Sequence, residues 1–251
     1  MTKDIYNLLQ KIKNNPIFKD NEFFFVGGTA LSYYLNHRIS YDIDIASTKE
    51  LPIAQIKSFV FSLGGRAITD KNASQFKINT GQSIDRYHMK FMVDGVKLEF
   101  TYFKHEIQMH ILKNAIHSTL DDEATLKILS LKDISLLKFF ALFNRQKTRD
   151  LFDASIILEK DLISLDEVEN LYSFLKIERF TIRDYIESFT SLDDSGNNSL
   201  DFISGQDHYK VFRKKEQMTR FSIAKEMFFK QFDEKQQQLL RLKNKEAIRL
   251  L

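Results

Sequence analysis

The chain has 251 residues, 43% of them hydrophobic and 28% charged, with a formal net charge of +3 and no cysteine. That is length enough for one large domain or two small ones with a proper core, and the composition excludes a largely disordered chain. The missing cysteines exclude a disulfide framework, a thiolate zinc site and a cysteine nucleophile, and no stretch approaches the ~18 uninterrupted apolar residues of a membrane span.

With 23 Phe and no Trp, phenylalanine is expected to fill much of the interior. The opening residues MTKDIYNLLQKIKNN show helical spacing through Ile5, Leu8, Leu9 and Ile12. They lack the apolar core and small-residue cleavage site of a signal peptide, so a cytoplasmic location is expected. Pro16 and the Asp20-Asn21 pair break that pattern. Phe23–Val26 then reads as a buried strand closed by Gly27-Gly28, and residues 29–36 as a helix that starts directly from the glycines.

A second strand over Tyr41–Ala46 alternates strictly, with Asp42 and Asp44 on one face and Ile43 and Ile45 on the other. Residues 53–63 suit a helix ending at Gly64-Gly65. HMKFMV and VKLEFTYF flank Asp94-Gly95, a dipeptide suited to a two-residue hairpin turn. In the second of these strands Lys97, Glu99 and Thr101 share the polar face. From about residue 121 apolar residues recur at helical spacing (Ile128, Leu131, Ile134, Leu137, Leu142), with a loop expected at 193–198 and a turn at Gly205. The reading is α+β: a mixed sheet with flanking helices over 1–120, then a helical region over 121–251.

Charge is unevenly spread. Residues 161–206 hold 3 Lys/Arg against 10 Asp/Glu, and residues 207–251 hold 12 against 6. Solvated helix faces give such blocks, and so does a basic surface offered to nucleic acid.

Asp42 and Asp44, at i and i+2 of a strand, stand about 7 Å apart at Cα on one side of the sheet. Like charges held so close need a cation between them or free solvation, and hard oxygen ligands suit magnesium or manganese. An exposed amphipathic strand would also produce the pair, but its neighbours are informative. Glu99, on the polar face of another strand, can complete a three-carboxylate cluster. Gly27-Gly28 ends a strand and opens a helix, where bare backbone N–H groups can approach a phosphate. Thr29 adds a hydroxyl for phosphate or for the helix cap.

VGGTALSYYLNHRISYDIDI resembles the first motif of the AbiEii/AbiGii nucleotidyltransferase toxins of abortive-infection systems, within the DNA polymerase β-like superfamily. In that pattern a Gly-Gly or Gly-Ser is followed by about a dozen residues, an HRxSxD-like approach and Asp-Ile-Asp. Here 13 residues, Thr29 to Tyr41, separate Gly28 from Asp42. LKDISLLKFFALFNRQKTRDLFDASIIL resembles the family's later helix, with Lys138, Arg145, Arg149, Asp150 and Asp153 at the corresponding positions. The two stretches cover about a fifth of the chain. One departure is Glu99, since the third carboxylate in such enzymes is usually aspartate.

The resemblance implies a transferase that moves a nucleoside monophosphate from a triphosphate to an acceptor hydroxyl, with Mg2+ or Mn2+ at Asp42, Asp44 and Glu99. Gly27, Gly28, Thr29, Lys138, Arg145, Arg149 and Asp150 would bind the nucleotide. It also implies an RNA acceptor, such as a tRNA end, or a protein acceptor, and a separately encoded antitoxin. Read on its own, the helical motif puts Lys138, Ala141 and Arg145 on one helix face, and Arg145 and Arg149 on a shared face as well, a cationic stripe with Asp150 and Asp153 to hold it. His37, in the turn before Asp42, could contact substrate or, with Arg38, shape the loop, and loop shaping is the favoured reading. Two rivals stand beside the enzyme: a nucleic-acid-binding module using 207–251, and a degenerate fold that binds nucleotide without turnover.

Overall fold

In the computed structural model, residues 1–175, 181–189 and 220–249 are described. They fall into two compact units, Met1–Ile134 and Ser135–Leu251. The loop expected at 193–198, the turn at Gly205 and residues 207–219 of the basic segment lie outside the described residues.

The first unit is built on seven strands among the described residues: β1 (Phe23–Val26), β2 (Asp42–Ser47), β3 (Arg66–Ile68), β4 (His88–Val93), β5 (Val96–Tyr102), β6 (His117–Thr119) and β7 (Lys127–Leu129). Their order is β3-β4-β5-β2-β1-β7-β6. The sheet is mixed: β2 runs parallel to β5 and antiparallel to β1, while β1 runs parallel to β7. β1 reads FFFV because it lies inside the sheet and is buried on both faces. Strands β2 and β5 alternate because one face is core and the other is the polar face that carries the site.

Helix α1 (Lys3–Ile12) is capped by the Thr2 hydroxyl and buries Ile5, Leu8, Leu9 and Ile12. Helices α2 (Pro16–Asp20), α3 (Gly27–Leu35), α4 (Ile53–Ser62), α5 (Ala73–Thr80) and α6 (Glu106–Asn114) complete the unit with the start of α7 (Leu131–Arg145). The core is phenylalanine, as the composition suggested. Phe18 meets Phe59 edge to face at 5.5 Å, Phe23 meets Phe100 at 5.5 Å, and Phe91 meets Phe100 at 6.3 Å.

The helical pattern expected from about residue 121 begins later. Residues 127–129 form β7, and Ile128 pairs with Phe25 beside it. A three-residue strand is too short to show a period of its own, so its apolar residues merged with the helix that follows. The compact units therefore divide within α7 rather than near 120.

In the second unit α7 ends at Arg145, where Gln146 takes a left-handed φ of +45°, and α8 (Thr148–Glu159) starts anew. Arg145 and Arg149 therefore stand on different helices and not on one helix face as expected. Helices α9 (Leu165–Phe174), α10 (Ile182–Glu187) and a last helix, Arg220–Arg249, follow. Helix α8 is buried nearly throughout and packs on the last helix. From that helix Phe228 stacks on Phe232 and approaches Phe139 at 6.5 Å. Among the described residues no helix is long and apolar enough to cross a membrane.

Candidate active site

The β2–β5 register assembles the site. Asp42 sits opposite Lys97, and Asp44 opposite Glu99. All four side chains share one face of two neighbouring strands, because residues two apart along a strand point the same way. Lys97 Nζ lies 3.0 Å from Asp42 Oδ2 and 2.6 Å from Glu99 Oε1, and so bridges the two carboxylates. His88 Nε2 lies 3.0 Å from Glu99 Oε2. An ionised carboxylate can only accept, so this nitrogen carries the proton and donates.

These contacts fix the charge state of Glu99. Burial pushes its carboxyl upward, but the hydrogen bonds from His88 and Lys97, with the Lys97 charge, outweigh that and bring it down to about 2. For Lys97 burial pulls the other way, yet its two carboxylate partners hold its ammonium above the usual lysine value. Among the described residues no three His, Asp or Glu side chains are grouped so as to hold a metal ion. The physical reason at this face is that an ammonium already draws Asp42 and Glu99 onto itself. Asp42 and Asp44 remain a pair of hard oxygen donors suited to a small divalent cation.

The two glycines are needed for close approach. Gly27 has φ +80°, where a side chain is strained, and a Cβ there would fall onto the Asp44 carboxylate. At Gly28 a Cβ would stand 2.6 Å from Arg38 Nη2 and 3.2 Å from Ser40 Oγ. Arg38 is fully buried and donates from Nη1 to the Ile39 carbonyl, 3.0 Å away, in keeping with a loop-shaping residue. His37 is buried beside it in sequence. Thr29 is also buried, and its hydroxyl donates to the Asp42 carbonyl, tying α3 to β2. No side chain caps the N-terminus of α3, so the first turn presents its partial positive charge toward the Asp44 strand.

The later motif assembles its own cluster within the second unit. Lys138 Nζ is 2.7 Å from Asp153 Oδ2 and 3.6 Å from Asp150 Oδ1, with all three side chains buried. Arg145 grips Asp150 with two parallel bonds, 2.7 Å from Nε and 2.8 Å from Nη2. Burial would raise the Asp150 carboxyl, but the charge of Lys138 and the bonds from Arg145 hold it below the usual range. Arg149 is half-buried and makes no ion pair among the described residues. The surface pair of Arg149 with Asp153, an alternative that the i,i+4 spacing allows, does not form, because Asp153 points inward to Lys138.

Two residues at the site carry no assignment from the sequence, Lys97 and His88. A signal for both existed. The Asp94-Gly95 turn, with φ of +48° and +79°, fixes the hairpin register. It sets Val93 opposite Val96, and so His88 opposite Thr101, one step from Glu99 on the same face.

A family model described as "Nucleotidyl transferase AbiEii toxin, Type IV TA system" matches residues 12–238, nine-tenths of the chain. The chain belongs to the AbiEii nucleotidyl transferase toxin family. Both motif stretches lie inside the matched range. A relative, an uncharacterized protein of Aquifex aeolicus (strain VF5), is 26% identical over 151 residues, 60% of this chain. The aligned part spans 65% of that relative's length. Among solved structures, a candidate nucleotidyltransferase from H. pylori aligns with a TM-score of 0.52 at 17% identity, over 96% of this chain and 99% of the other. MenT4, a nucleotidyltransferase toxin of Mycobacterium tuberculosis H37Rv, aligns with a TM-score of 0.50 at 13% identity, over 92% of this chain and 82% of the other. At such identities the likeness speaks for the fold, which is the nucleotidyltransferase fold expected from the sequence.

Proposed function

We propose that this AbiEii-family chain is the toxin of a toxin–antitoxin pair and a cytoplasmic nucleotidyltransferase. It would move a nucleoside monophosphate from a triphosphate to an acceptor hydroxyl on RNA, such as a tRNA end, or on protein. The observation that carries this reading is the polar face of β2 and β5, where Asp42, Asp44 and Glu99 stand beside the uncapped glycine start of α3.

Asp42 and Asp44 would hold Mg2+ or Mn2+, which when bound supplies positive charge against the phosphate oxygens. The acceptor hydroxyl attacks the α-phosphorus, the bond to the bridging oxygen breaks, and pyrophosphate leaves with the negative charge. Gly27 lets the turn lie against the Asp44 carboxylate and Gly28 packs on Arg38 and Ser40, and the free backbone N–H groups of this turn and the first turn of α3 would meet the phosphate. Thr29 supports that turn through β2. Glu99, ionised down to a pH of about 2, is a weak proton acceptor. Its contribution is therefore electrostatic, and the acceptor's proton goes to another group or to solvent.

In the second unit Arg145 and Arg149 are the cations we assign to the triphosphate, since Lys138 is committed to Asp150 and Asp153. Lys138 and Asp150 would act through Arg145, holding its guanidinium in place. Incubation with Mn2+ or Mg2+, each α-labelled NTP in turn, and total cellular RNA and protein tests the proposal. Label is expected on one acceptor class with wild type and none with Asp44→Asn. Equal labelling by both proteins would refute it.

A further inference from the structure

Lys97 lies on the carboxylate face, and neither the motif nor the proposed reaction uses it. Its ammonium touches Asp42 and Glu99 together, at 3.0 and 2.6 Å, and so spans diagonally from the carboxylate opposite Lys97 to the carboxylate opposite Asp44 in the sheet's register. An ammonium there offsets part of the charge that a second divalent ion bridging these two carboxylates would neutralise, and occupies the same place between them. His88 satisfies the remaining oxygen of Glu99. The carboxylate that would complete a three-ligand cluster thus has both oxygens engaged.

We propose that Lys97 is a resident cation of this site: its ammonium fills the place between Asp42 and Glu99, so that the face takes up a single divalent ion, at Asp42 and Asp44. The inference rests on the metal-binding reading of that pair and deepens it. Lys97 is bound covalently to the strand that carries Glu99, so it is present at unit occupancy whatever the metal concentration. Its charge also lies on Asp42, one of the ligands of the single ion, and weakens that ion's binding. The ammonium also offsets the mutual repulsion of carboxylates standing on adjacent strands.

The test is Mn2+ binding, followed by electron paramagnetic resonance and calorimetry at fixed salt, with a non-hydrolysable triphosphate present. Wild type should bind one ion per chain. Lys97→Met should bind two, and the first of them roughly tenfold more tightly, because a positive charge paired with one of the ligand carboxylates has gone. Lys97→Gln, which keeps the size and a hydrogen-bond donor, should behave as Lys97→Met, which separates the charge from the shape. Thermal melting gives a second readout: both variants should be less stable than wild type in EDTA and should gain more from Mn2+. Two ions in wild type, or one ion of unchanged affinity in both variants, would overturn the inference while leaving the Asp42–Asp44 metal site standing. No ion in wild type, or one that survives Asp44→Asn, would overturn that reading and this one together.

Discussion

Glu99 and Lys138 are both charged, both largely buried and both held by partners of opposite sign, and their surroundings yield different predictions. Glu99 has a carboxyl lowered from 4.5 to about 2 in the folded chain. A depressed carboxylate contributes stability that is present above its unfolded value and is lost as pH falls toward its folded one. In EDTA, unfolding free energy should therefore drop by roughly 3 kcal/mol between about pH 4.5 and 2, as a shift of this size implies. Chemical denaturation across that window should show a shallower fall in Glu99→Gln. Equal slopes would mean that the His88 and Lys97 contacts do not hold in solution. For Lys138 the prediction is larger and independent of metal. Removing it leaves Asp150 and Asp153 as two buried carboxylates, one of them still paired with Arg145. Urea unfolding of Lys138→Ala should show a loss of about 3–5 kcal/mol. Loss of triphosphate binding in that variant would then report unfolding rather than a missing contact. Arg149→Ala is the sharper probe. It should stay within about 0.5 kcal/mol of wild-type stability. It should weaken NTP binding about tenfold while leaving NMP binding unchanged, because a monophosphate lacks the β and γ groups. Equal NTP affinity in Arg149→Ala and wild type would remove that residue from the proposal.

At the scale of elements, the turn from β1 into α3 carries the most consequence. Gly27 adopts a left-handed φ against the Asp44 carboxylate. Gly27→Ala should cost about 1–3 kcal/mol through backbone strain and crowding. It should also reduce Mn2+ affinity, because the displaced carboxylate is a proposed ligand. A stable Gly27→Ala protein with wild-type Mn2+ affinity would contradict the close approach. The same elements indicate what a sequence can disclose. β2, β5 and the hairpin turn were legible because strict alternation and an Asp-Gly dipeptide each have one geometric meaning. The three-residue strands β3, β6 and β7 were not, since each is shorter than the window in which a period can be counted. The carboxylates were legible as a set. Their partners were not, because no single-strand pattern says that Lys97 turns toward Asp42 on the neighbouring strand. That contact depends on a parallel β2–β5 pairing between segments some 50 residues apart in the chain. The helical motif was legible as a charged cluster, but whether it faced inward depended on the packing of α8 against the last helix.

For the whole molecule, the carboxylates Asp42, Asp44 and Glu99 lie on a sheet in the first compact unit, and the cluster of Lys138, Arg145, Asp150 and Asp153 lies on helices in the second. The sheet face is the proposed reaction site and the helical cluster is knit together by its own ion pairs, so their mutants should sort differently. Variants of Lys138 and Asp150 should lower stability and activity together. Asp42→Asn should lose only a partly exposed ion pair with Lys97 while relieving repulsion with Asp44. Its stability in EDTA should stay within about 1 kcal/mol of wild type. The most direct measurement of the central claim is therefore transfer of label from α-labelled NTP by wild type, Asp42→Asn and Asp44→Asn, with Mn2+ and with EDTA, on proteins shown by melting to be folded. The account predicts metal-dependent transfer by wild type and at least a hundred-fold loss in both folded variants, the scale expected when a charge-stabilising group is removed. Transfer that persists in either variant, or that proceeds in EDTA, would contradict it.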